Sequence, residues 1–171
     1  MFKIHRLPSA RMLLQILLAC LLSNVLFVIL SSLSLSINMA ANPFISAFIH
    51  VDLTHALLNF LILGFVLAQD INRSIGFKDF YIHSFILSLL YFPFACAHVL
   101  PPCVGLSGVA YYLLTRYMMT RHPLWKGIAA LLFLGEIIQI SPNSDTAHLM
   151  HAFGMIMGYR TCSNLLLAKE S

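Results

Sequence analysis

Residues 146–167 read Thr146-Ala-His148-Leu-Met-His151-Ala-Phe-Gly154-Met-Ile-Met-Gly158-Tyr-Arg160-Thr-Cys-Ser-Asn-Leu-Leu-Leu167. A bilayer-crossing helix takes about 20 mostly apolar residues, and this run has that length. Gly154 and Gly158 follow His151 at offsets of three and seven, so the three share one helical face. Small residues on such a face let a neighbouring backbone come close. An ionisable side chain within a span faces protein or a water-filled cavity rather than lipid. The stretch therefore predicts a packed membrane helix with a histidine at its packing contact.

The rest of the chain agrees. It has 171 residues, 60% hydrophobic and 9% charged, whereas soluble domains carry about a quarter charged residues. Such a chain cannot cover a globular surface with polar groups, so the lipid bilayer is its solvent. Six apolar stretches qualify as spans, near 13–36, 52–70, 79–99, 105–120, 124–141 and 146–167. They form one domain over 1–171, an all-α membrane bundle of six transmembrane helices. The first stretch follows Lys3, Arg6 and Arg11 and begins like a signal peptide. Its apolar core is longer than the usual ~7–15-residue core of a signal peptide, so it reads as a retained helix.

Charge sets the orientation. The ten Lys and Arg residues fall before the first span, between the second and third, around the fourth-to-fifth connection, and at the end of the sixth. With six spans, all lie on one side, which is the cytoplasmic side of a bacterial inner membrane, with both termini there. The net charge of +4 thus reflects topology, and no nucleic-acid partner is implied. Cys20, Cys96, Cys103 and Cys162 have no CxxC spacing, which argues against a cysteine zinc site or a disulfide framework.

Polar residues gather on the opposite, outer side. His50, Asp52, His55 and Asn59 open the second span, and His55 and Asn59 are four apart on one face. Gly105-Leu-Ser107-Gly108 opens the fourth. Ser107 lies nine residues before Arg116, and His151 nine before Arg160. If both arginines reach the cytoplasmic interface, serine and histidine sit at one depth, about 14 Å of helix rise from it. The segment His98 to Val104 then dips in from outside, and backbone at that depth must line a wet cavity or be buried in protein. This predicts a water-accessible cavity opening outward.

These residues suit acyl transfer. A serine needs a base, most often histidine, and a tetrahedral intermediate needs donors aimed at its oxyanion. Ser107 at a helix start has free backbone N–H groups, and His55 and Asn59 can add theirs. Gly105, Gly108, Gly154 and Gly158 permit close approach of spans four and six. Tyr111, one turn after Ser107, can hold the imidazole by stacking. No orienting acid is evident: Asp145 and Asp52 read as helix-start residues, and Glu136 lies inside span five with no partner to name. The expectation is a Ser107–His151 dyad without metal or cofactor.

The pattern resembles the rhomboid family of intramembrane serine proteases. Family members carry HxxxxHxxxN on span two, GxSG on span four, and His followed by GxxxG on span six. This chain has His50, His55 and Asn59, then Gly105 to Gly108 with Tyr111, then His151, Gly154 and Gly158. The resemblance covers the six-span chain and implies a rhomboid-like bundle that cleaves membrane-anchored proteins in or near a transmembrane segment. The small size is similar to the rhombosortase subgroup, which processes C-terminal anchor segments. Two family elements are altered: the outer connection near 37–51 lacks a Trp-Arg pair, and Asn72 stands where glutamate is expected. His151, not His148, carries the glycine offsets and is the expected base.

Two other functions compete. An inactive rhomboid-like protein would bind client helices without cutting them, but serine and histidine are both present. A transporter would explain intramembrane histidines, but no inverted repeat or polar path continues toward the cytoplasmic half.

Overall fold

The computed structural model describes residues 10–32, 46–50, 53–72, 74–97, 99–100, 105–144 and 147–170. Among these are six α-helices and no strand: α1 (Ala10–Ser32), α2 (Leu53–Leu67), α3 (Phe77–Cys96), α4 (Ser107–Met119), α5 (Pro123–Ile138) and α6 (His148–Glu170). Short 3-10 turns lie at Ser46–Phe48 and Asp70–Asn72. Each of the six apolar stretches contains one of these helices. Asp52, His98, Cys103, Asp145 and most of the first outer connection fall outside the described residues.

Local chemistry sets several ends. Gly76 N–H donates to the Asp79 carboxylate at 3.3 Å, opening α3. Pro123 opens α5, where a missing N–H costs nothing, and the His122 ring accepts from Leu124 N–H at 3.3 Å. Only α3 is by itself both long and apolar enough to cross a membrane among the described residues; Arg11–Leu26 and Thr54–Leu67 are shorter apolar helices. The 13 residues of α4 rise about 20 Å, well short of a ~30 Å hydrocarbon core.

Side chains sort by face. Ile16, Leu63, Leu87, Leu106, Leu113 and Met150 are fully enclosed, while Leu22, Leu61, Leu131 and Ile138 point outward. The closest helix pair is α4 with α6. A Cβ on Gly154 would collide with the Gly108 carbonyl oxygen, and one on Gly158 with that of Tyr112. The glycine face of α6 is thus the seam against α4.

Asn24 ties the segment before α2 to α1. Its side chain donates to the carbonyls of Cys20 at 2.8 Å and Phe48 at 3.1 Å, and accepts from His50 N–H at 3.2 Å. Asn72 serves the altered element after α2, donating to the carbonyls of Val66 at 2.8 Å and Leu113 at 3.1 Å.

Arg116 is 5% exposed. Its guanidinium donates to the Ile71 carbonyl at 3.1 Å and to the Tyr112 hydroxyl at 3.4 Å. A buried guanidinium must be satisfied by protein acceptors, and the turn before α3 supplies one.

Candidate active site

Ser107 is the first residue of α4 and is partly buried. Just before it, Gly105 has a φ of +97°, a left-handed conformation that glycine adopts without strain. A Cβ there would lie 2.9 Å from His55 Cε1 and 3.4 Å from Asn59 Nδ2. The backbone leading into Ser107 is therefore packed directly on the two α2 side chains expected at the oxyanion. Asn59 is buried, and its Nδ2 has no hydrogen-bond partner among the described residues. A buried amide without a partner is costly. The His55 ring packs edge-on against His50, centroids 5.5 Å apart.

His151 is also buried. Tyr111, one turn below Ser107, lies flat on its ring, with centroids 4.4 Å apart and planes at 10°. The seam between α4 and α6 creates this contact, because the two glycines draw α6 onto the α4 backbone. No hydrogen bond joins Ser107 to His151 among the described residues. Catalytic hydrogen bonds in unliganded enzymes are often long and tighten only with substrate.

The sequence reading missed one residue. Glu136, in the last turn of α5, is buried with its Oε2 2.9 Å from His151 Nδ1 and 2.7 Å from His148 Nδ1. A carboxylate only accepts, so both imidazoles carry a proton on Nδ1. The tautomer leaves His151 Nε2 as a proton acceptor. Glu136 is thus an acid in contact with His151, a contact that the sequence reading did not name. Its one sequence signal was a lone carboxylate inside an apolar helix, which is itself a pointer to function. The carboxylate and the two Nδ1 atoms all lie within 4.8 Å of one another.

The site therefore unites α2, α4, α5 and α6. The predicted residues Ser107, His151, His55, Asn59, Gly105, Gly108, Tyr111, Gly154 and Gly158 all lie in these helices or at their ends. His148 stands beside them, bonded to the same carboxylate oxygen as His151. Another opening, an apolar cleft of about 300 Å³ between α4, α5 and α6, is lined by Met119, Phe133 and Met155 and contains none of these residues.

The family model for the Rhomboid domain matches residues 38–167. No curated protein and no solved structure gives a match.

Proposed function

The chain belongs to the rhomboid family, and from that premise we propose that it is an intramembrane serine endopeptidase with Ser107 as nucleophile and His151 as general base. Rhomboid-family membership supports an integral membrane protein, and the family acts on membrane-protein substrates. The observation that carries the reading is the hold on His151. Tyr111 fixes the ring plane and Glu136 fixes Nδ1–H, so Nε2 is left as the only site for a proton.

In this reading His151 Nε2 takes the Ser107 proton as Oγ attacks the scissile carbonyl. The imidazolium that forms is stabilised by the Glu136 carboxylate, which is a positioning residue and stays ionised. The oxyanion is met by Asn59 Nδ2, by His55 and by the backbone N–H of Ser107. His151 then gives its proton to the leaving amine, and water repeats the cycle on the acyl-enzyme. The short α4 supports a serine recessed below the outer face, with a cavity opening outward and both termini in the cytoplasm.

Labelling by a fluorophosphonate probe tests the nucleophile. Wild-type protein in detergent is expected to react and Ser107→Ala is not. Equal labelling of both would remove Ser107 from the mechanism. Absence of labelling, with tight binding of client helices, would favour the inactive, helix-binding reading. Cleavage of a membrane-anchored substrate should vanish in His151→Ala and persist in His148→Ala; the reverse would reassign the base.

A further inference from the structure

We propose that Glu136, His148 and His151 form a binding site for a divalent cation of the zinc class, and that filling it switches the peptidase off. The proposal rests on the reading of His151 as the base. The catalytic reading needs one carboxylate and one imidazole; His148 is left over. It is nevertheless aimed at the same oxygen, at 2.7 Å. Two imidazoles and a carboxylate are a donor set that suits zinc, with a fourth position for water.

The geometry is close to what such an ion takes. Tetrahedral ligands at ~2.0–2.2 Å stand roughly 3.3 Å apart. The two Nδ1-to-Oε2 distances are 2.7 and 2.9 Å and must open by a few tenths of an ångström, and all three ligand atoms lie within 4.8 Å of one another, so the two Nδ1 atoms have at most about 1.5 Å to close. The two histidines share one side of the first turn of α6, and Glu136 comes from the last turn of α5. The site thus lies where the two helices join through a short connection. It is slightly open, with the three side chains 9–13% exposed.

Charge argues the same way. Among the described residues, the only ion-pair partners of Glu136 are these two histidines. A bound dication would offset the charge of the buried Glu136 carboxylate.

The switch follows from the tautomer. A metal takes the Nδ1 lone pair of a neutral ring, so the ring proton moves to Nε2 through solvent. His151 Nε2 then has no lone pair for the Ser107 proton, and acylation stops. No bond to the metal is made by substrate, and nothing is oxidised or reduced. Removal of the ion restores the Nδ1–H to Glu136 contact and with it the base.

The test uses the full chain, purified through a tag without histidine. Two readouts separate the proposal from its premise. Zinc binding is measured on Ser107→Ala, which needs no activity. The expected result is one zinc per chain, with affinity reduced more than about tenfold in Ser107→Ala/His148→Ala. Substrate cleavage is then followed against buffered free Zn²⁺. Wild-type turnover should fall and return with EDTA, while Mg²⁺ leaves it unchanged. His148→Ala should keep its turnover in EDTA and need more than about ten times the zinc for half inhibition. Wild-type cleavage that ignores zinc, or zinc inhibition unchanged in His148→Ala, overturns the switch. Zinc bound through His148 by a chain that never cleaves would keep the metal site and sink the peptidase reading instead.

Discussion

Two adjacent tyrosines of α4 each lie on a histidine, and the two pairs do different work. Tyr111 covers His151 of α6 at 4.4 Å, and Tyr112 covers His83 of α3 at 4.6 Å. Both stacks are nearly parallel, so stacking does not separate them. Their ring nitrogens do. His83 Nδ1 donates to the Asp79 carbonyl at 2.6 Å, and its Nε2 accepts from the Tyr112 hydroxyl at 3.0 Å. That hydroxyl also accepts from Arg116. Every polar atom of this ring is used, which makes the pair a structural tie between α3, α4 and the turn at Asp70–Asn72. His151 has a carboxylate on Nδ1 and no partner on Nε2 among the described residues. A ring nitrogen with no partner suits chemistry, whereas a saturated ring suits architecture.

Substitutions can break or sharpen this contrast. The largest effect belongs to Ser107→Ala and His151→Ala, each expected to lower turnover by about 10⁶-fold, as loss of a nucleophile or base does elsewhere. Glu136→Gln replaces the acceptor-only carboxylate by an amide that can turn its NH2 to Nδ1, so the tautomer is no longer fixed. It should lower kcat by about 10²–10⁴-fold with KM unchanged and Tm little changed. A shift confined to Tm would reduce Glu136 to a structural role. Asn59→Ala should lower kcat by about 10²–10³-fold if its unpartnered amide meets the oxyanion. Gly154→Val places a branched side chain against the Gly108 backbone and should cost about 3 kcal/mol in thermal or denaturant unfolding. The smallest catalytic effect belongs to His83→Phe. It keeps the stack but leaves Tyr112 without its acceptor. The expected cost is ~1–3 kcal/mol of stability, with kcat unchanged. A large fall in kcat there would end the distinction between the two pairs.

Much of the candidate site is legible in the chain because its parts are local. GxSG is contiguous, His55 and Asn59 are one turn apart, and His151 with Gly154 and Gly158 follows the helical period. The structure brings these together at α4, with Gly105 against His55 and Asn59. Charge patterning counts charges by side and does not register that the Arg116 guanidinium turns inward to donate to the Ile71 carbonyl. Asn72 was visible as a departure from the family pattern. Its task of bonding Val66 and Leu113 could only be seen once α2 and α4 were packed.

By itself, then, the sequence determined the helical segments and the glycine seam and singled out the candidate serine and histidine, because each is set by periodicity along one segment or by the order of motifs. Tertiary structure alone decided that Glu136 holds His151. The two stand 15 residues apart on different helices, and no period links them. It also decided that the two α4 tyrosines serve different ends, since neighbours in a helix point about 100° apart and meet different partners.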